Sequence, residues 1–183
     1  MDWNSEESQQ LRFDQLLRVV RDPSEAFSLN DYGCGYGALA GYLALKDYEF
    51  RYVGFDVSAT MRAHAQKTHH GDPRIAFVEE ESGLRPADYT VASGIFNVKL
   101  DVPAGEWASY VEETIGRIAA LSRRGLAFNM LTSYSDPELM RADLFYADSR
   151  HFFDLCKTRY SRNVALLHDY GLYEFTVITR LDG

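Results

Sequence analysis

Residues 29–43 read LNDYGCGYGALAGYL, and this stretch decides what kind of sheet the chain can build. Asp31 precedes three glycines at alternate positions, Gly33, Gly35 and Gly37, and apolar residues at helical spacing follow. The pattern predicts a strand end, a tight turn and a helix start. Glycine lacks a Cβ, so it takes positive φ and lets a ligand approach the main chain closely. The helix N-terminus then offers N–H groups without intrahelical partners.

Either side of this turn, strand and helix periods alternate. Phe13, Leu16, Leu17 and Val20 follow the i, i+3, i+4, i+7 spacing of an amphipathic helix over 5–20, which Asp22-Pro23 breaks. A first strand is predicted at 26–30 and a helix at 37–44. A second strand at 51–55 stops at Asp56, and Ser58 suits the N-cap of a helix over 59–67. Strands at 74–78 and 89–92 come next, then a strongly amphipathic helix over 105–121. Gly125 is read as a break before a fifth strand at 126–131. Residues 132–148 suggest a flap with a helical piece near 138–142, and Ser149 is read as the cap of a helix reaching 160. The runs 164–168 and 173–180, joined at Gly171, have hairpin-like separation. Strands alternating with helices imply a doubly wound, mostly parallel α/β sheet, and the closing pair makes it seven-stranded with an antiparallel last strand.

With 183 residues the chain suits one domain, 1–183, whose first 25 residues form an N-terminal helical segment. Its composition, 46% hydrophobic and 25% charged, is that of a globular protein. No apolar run approaches the ~20 residues of a membrane span. The acidic, polar start MDWNSEESQQ is unlike a secretory signal, so a cytoplasmic location is expected. A net charge of −8 argues against a nucleic-acid surface, which needs clustered Lys and Arg. Arg123 and Arg124 form the adjacent basic pair and read as a solvated helix end. Cys34 and Cys156 make neither a disulfide framework nor a metal-ligand spacing and are read as free thiols.

A glycine turn after the first strand, with an acid about 20 residues later, serves both dinucleotides and S-adenosylmethionine. Gly33, Gly35 and Ala38 satisfy the looser G-x-G-x-x-A dinucleotide fingerprint, and Asp56 suits the ribose of either ligand. Asp31 separates the two. A carboxylate so close to the turn repels a pyrophosphate and attracts an ammonium or sulfonium group.

Residues 31–37, DYGCGYG, resemble the D-x-G-x-G-x-G motif of class I S-adenosylmethionine-dependent methyltransferases. Residues 54–61, GFDVSATM, are similar to that family's second-strand motif, and the terminal hairpin resembles its sixth and seventh strands. The resemblance implies a Rossmann-like methyltransferase fold, S-adenosylmethionine as cofactor and a methyl acceptor as partner. It further implies that Gly33, Cys34 and Gly35 face the methionine part and that Asp31 holds its amino group. Asp56 would accept from both ribose hydroxyls, and Val57 and Met61 would press on the adenine. Glu80 or Glu81 stands where many relatives receive the adenine amino group, although three glutamates replace the usual Gly-Asp. Ser93 and Gly94 would line the methionine side.

In open α/β sheets ligands lie beyond the carboxyl ends of the parallel strands. Asn97, Lys99, Tyr134, His151, His168, Asp169 and Tyr170 fall at that end, and His151 and His168 are the candidate general bases. His64, His69 and His70 lie on or past the helix at 59–67 and read as surface residues. The amine-methylating signature Asp/Asn-Pro-Pro-aromatic is absent, since the chain reads Ser93-Gly94-Ile95-Phe96-Asn97 after the fourth strand. This disfavours base methylation in DNA or RNA and points to a small-molecule acceptor, a hydroxyl if either histidine is catalytic. The N-terminal helix could close over the cofactor and bring Arg12 to its carboxylate. The alternatives are an NAD(P)-dependent oxidoreductase and a non-catalytic cofactor-binding interaction domain.

Overall fold

In the computed structural model, which describes residues 5–181, Ser5 caps the first helix, its side chain accepting from Ser8 N at 3.1 Å. Helix α1 runs Glu6–Leu17 and buries Phe13, Leu16 and Leu17. Strand β1 (Phe27–Tyr32) leads through the glycine turn into α2 (Ala38–Ala44). Then follow β2 (Phe50–Phe55), α3 (Ala59–Thr68), β3 (Ile75–Val78), β4 (Ala87–Ala92), α4 (Ala104–Ala120) and β5 (Ser122–Leu131). The chain closes with α5 (Ser149–Arg159), β6 (Asn163–Leu167) and β7 (Glu174–Arg180).

The seven strands form one sheet in the order β3-β2-β1-β4-β5-β7-β6. The first five pair in parallel, while β7 runs antiparallel to both β5 and β6. The expected fold is therefore the observed one. Alternate residues of the central strands feed two cores. Tyr32, Ala92, Phe128, Met130 and Val177 pack toward α4 and α5. Leu29, Tyr52, Tyr89, Val91, Ala127 and Ile178 pack toward α1 and α2. Because β1 and β4 are neighbours whose connections leave in opposite directions, a crevice opens beyond their carboxyl ends.

Several boundaries differ from the sequence reading, each for a physical reason. Strand β1 continues through Asp31, which pairs with Gly54 and Val91 inside the sheet. Gly125 does not break a strand; β5 starts at Ser122, and the glycine lets β5 pass under Val19, since an added Cβ would lie 2.8 Å from Val19 Cγ2. Asp148, not Ser149, caps α5 by accepting from Arg150 N at 3.0 Å. His69 is not a solvated residue: its Nε2 lies 2.9 Å from Gly37 O and its ring fills the space beside that glycine.

Candidate active site

The three glycines of the turn have positive φ, +86° at Gly33, +54° at Gly35 and +81° at Gly37. Their surroundings differ. A Cβ on Gly33 would overlap Ile95 Cγ2, so this glycine admits the loop after β4. A Cβ on Gly37 would meet the His69 ring at 3.0 Å. At Gly35 nothing lies within 4 Å, and only there does the bare backbone face open space. Cys34 is buried, and burial raises its thiol pKa strongly, so it packs as a small apolar group.

Asp56 is held by the turn it serves. Its Oδ2 accepts from Gly35 N and its Oδ1 from Ser58 N, both at 2.8 Å, and the lone pairs left over remain available to hydroxyl donors. Asp31 lies deeper, 2% exposed, and its Oδ2 accepts from Tyr52 at 2.7 Å. Its Oδ1 is buried without a partner. Burial, followed at a distance by the charge of Asp56, raises the Asp31 pKa from 3.8 to about 7 against the opposing Tyr52 bond. An ammonium group fits this position, because it would satisfy the orphaned oxygen and favour the anion.

On the other side of Asp56, Val57 is 89% exposed and Met61 45%, apolar surface facing outward at the start of α3. Of the two candidate glutamates, Glu81 is already engaged: it accepts from Tyr32 at 2.7 Å and pairs with Arg117 at 3.3 Å. Glu80 is solvent-facing and accepts from Ser82 at 3.1 Å.

A cavity of about 840 Å³ opens past β4, beside Ser93 and Gly94. Gln9 and Arg12 of α1 form one wall, Asn97 and Val98 another, and the flap closes it with Ser135, Arg141, Asp143 and Tyr146. A buried chain of polar groups supports its floor. Gly94 N donates to Asn129 Oδ1 at 2.8 Å, and Asn129 Nδ2 donates to Glu174 Oε2 at 2.6 Å. Arg12 Nε completes the chain at 2.8 Å and 2.9 Å from the two Glu174 oxygens.

Neither candidate histidine lines this cavity. His151 sits on the outer face of α5, its Nε2 2.9 Å from Glu112 on α4, whose other oxygen holds Arg159. His168 packs between the rings of Tyr134 and Phe175. Arg12, expected near a cofactor carboxylate, is bound to Glu174 instead. Asn129 and Glu174 were not singled out from the sequence. A signal existed for Asn129, the one strongly polar side chain in the apolar run LAFNML, but Glu174 starts an ordinary-looking strand.

Comparison with known proteins agrees with this geometry. A family profile described as "Methyltransferase domain" matches residues 30–93, which hold the turn, Asp56 and Ser93. A Mycobacterium tuberculosis protein, "Putative methyltransferase Rv1506c", is 51% identical over 164 residues, covering 90% of this chain and 98% of its own. Among solved structures, N-methyltransferase NodS from Bradyrhizobium japonicum WM9 superposes with a TM-score of 0.68 at 15% identity, covering 98% of this chain and 99% of its own. Human N-acetylserotonin methyltransferase, solved with S-adenosylmethionine, gives 0.66 at 17% identity, covering 97% of this chain. This chain spans 55% of that larger protein. The two structural likenesses show the fold; the fold does not choose the acceptor.

Proposed function

Since the chain belongs to the class I S-adenosylmethionine-dependent methyltransferases, we propose that it methylates a small-molecule acceptor in the cavity beside Ser93 and Gly94. The observation that carries the assignment of the cofactor site is the buried, unpartnered Oδ1 of Asp31 two residues before the turn. In this reading Asp31 holds the cofactor ammonium, and the turn Gly33-Cys34-Gly35 borders its methionine part, with the open backbone of Gly35 in contact. Asp56 receives the ribose hydroxyls through its remaining lone pairs. Val57 and Met61 cover the adenine, and Glu80, rather than the engaged Glu81, is the acid placed for its amino group. When bound, the cofactor supplies an electrophilic methyl group on a sulfonium. The protein aligns the acceptor against it and excludes water, effects worth up to ~7–11 kcal/mol in the best cases.

The same reading takes 1–183 as one cytoplasmic domain, with Gln9 and Arg12 of its N-terminal segment walling the acceptor site; residues 1–4 and 182–183 lie outside the described structure. Among the described residues no helix is long and apolar enough to cross a membrane. The cavity of about 840 Å³ has room for a small molecule, and the net charge of −8 disfavours a nucleic acid. A nicotinamide dinucleotide would bring phosphate toward Asp31, which disfavours the oxidoreductase alternative.

Thermal melts with S-adenosylhomocysteine and with NAD test the reading. At ~100 times Kd a ligand of the native state adds about 2.7 kcal/mol, which raises Tm by several degrees. A rise with S-adenosylhomocysteine alone is expected. A rise with NAD alone would overturn the assignment.

A further inference from the structure

We infer that the cavity past β4 takes a neutral, polyhydroxylated acceptor, such as a glycosyl unit, and that Glu174 receives the proton of the hydroxyl being methylated. The inference rests on the methyltransferase reading above and adds the acceptor's chemistry to it.

Charge is the first argument. The lining holds two arginines and two carboxylates. They pair within the site, Arg12 with Glu174 at 2.8 Å and Arg141 with Asp143 at 2.6 Å. An anionic acceptor would be attracted by one member of each pair and repelled by the other, and so would a cationic one.

Depth is the second. Glu174, 1% exposed, Asn97 and Ser135 are the buried polar part of the lining, whereas apolar Leu139, 61% exposed, and Val98 stand at the mouth. An aromatic or aliphatic group pushed against these polar groups would cover the Asn97 Nδ2 donor and the remaining Glu174 acceptor without a hydrogen bond, at about 1–3 kcal/mol for each. A polyol replaces water with its own hydroxyls. Any apolar substituent it carries is left at the mouth.

The third argument is placement. Asn129 bonds both Gly94 N and Glu174, which locks this carboxylate beside the loop at the end of β4. A carboxylate offers about four lone-pair directions. Arg12 and Asn129 use three at Glu174, which leaves one, and Glu174 lines the cavity. Asn97 flanks the same point: its Oδ1 accepts from Leu131 N at 3.0 Å, and its Nδ2 lies 3.9 Å from where a Cβ on Gly94 would be. A hydroxyl beside Gly94 can therefore accept from Asn97 and donate to Glu174. Transfer forms the O–CH3 bond as the S–CH3 bond breaks, the bonding pair stays on sulfur, and the hydroxyl proton passes to Glu174.

The test begins with S-adenosylhomocysteine melts; absence of a shift overturns the methyltransferase reading itself. With that ligand bound, saturation-transfer NMR is run against glucosides, mannosides, galactosides and rhamnosides, with benzoate and phenethylamine as charged controls. Methyl incorporation from labelled S-adenosylmethionine is followed for the same compounds. Saturation transfer and O-methylation with at least one glycoside, and neither with the controls, is the expected result. Glu174→Gln should lower glycoside turnover about 10²–10⁴-fold while S-adenosylhomocysteine still raises Tm. Asn97→Ala, which keeps Glu174, should raise the glycoside KM about tenfold, the size of one lost hydrogen bond. A normal cofactor shift with methylation of the controls only, or of no glycoside, overturns the acceptor assignment. Wild-type turnover in a folded Glu174→Gln protein overturns the role of that residue.

Discussion

At the scale of single residues, the glycine turn divides into three separate jobs. Gly35→Ala puts a methyl into open space at φ +54°, so the protein should fold with modest loss while cofactor affinity drops; calorimetric titration with S-adenosylhomocysteine reads this directly. Gly33→Ala instead drives a methyl into Ile95 at φ +86° and should lower the denaturation midpoint, with overpacking of this kind costing about 1–3 kcal/mol. Equal behaviour of the two variants would contradict the division. Asp56→Ala removes the acceptor for Gly35 N and Ser58 N as well as the proposed ribose contact. Its cofactor Kd should rise by at least tenfold, about 1.4 kcal/mol, with the circular dichroism spectrum unchanged.

At the scale of elements, β5 joins the fold to the acceptor cavity. Gly125 lets this strand pass beneath Val19, where an added Cβ would also lie 3.0 Å from Thr179 O of β7. Gly125→Ala is expected to destabilise by about 1–3 kcal/mol, visible as a lower urea midpoint at constant slope. Four residues on, Asn129 ties the loop after β4 to β5 and β7 beside the cavity. Helix α5 has a separate role. Its His151 reaches Glu112 of α4 on an exposed face, a pair worth about 0–1 kcal/mol. His151→Gln should therefore leave turnover within about twofold of wild type, because exposed pairs contribute little; a loss of 10²-fold or more would restore it as a general base.

Across the whole molecule, Asp31 couples stability to pH. Its folded pKa of about 7 lies above the 3.8 of an exposed carboxyl, so between these values the native protein holds a proton that the unfolded chain has lost. Stability of the cofactor-free protein should fall as pH rises from about 4 to about 7, by up to about 1.4 kcal/mol per unit from this group. Binding an ammonium favours the anion, so S-adenosylhomocysteine should bind more weakly below pH 7 and release a proton there, measurable by calorimetry in buffers of different ionisation enthalpy. Asp31→Asn should abolish both effects. The local patterns that set this up were legible in the chain: alternation of strand and helix periods, glycines where positive φ is needed, and an acid ahead of them. They specify the parallel sheet, its antiparallel close and the family, because each acts over a few neighbouring residues. Long-range packing specified the rest. Only the folded sheet leaves Asp31 Oδ1 without a partner, brings Ile95 against Gly33, turns His151 outward, and joins Arg12, Asn129 and Glu174 from three distant segments beside one cavity. No periodicity encodes these meetings, since each depends on which strands become neighbours and on what water they exclude.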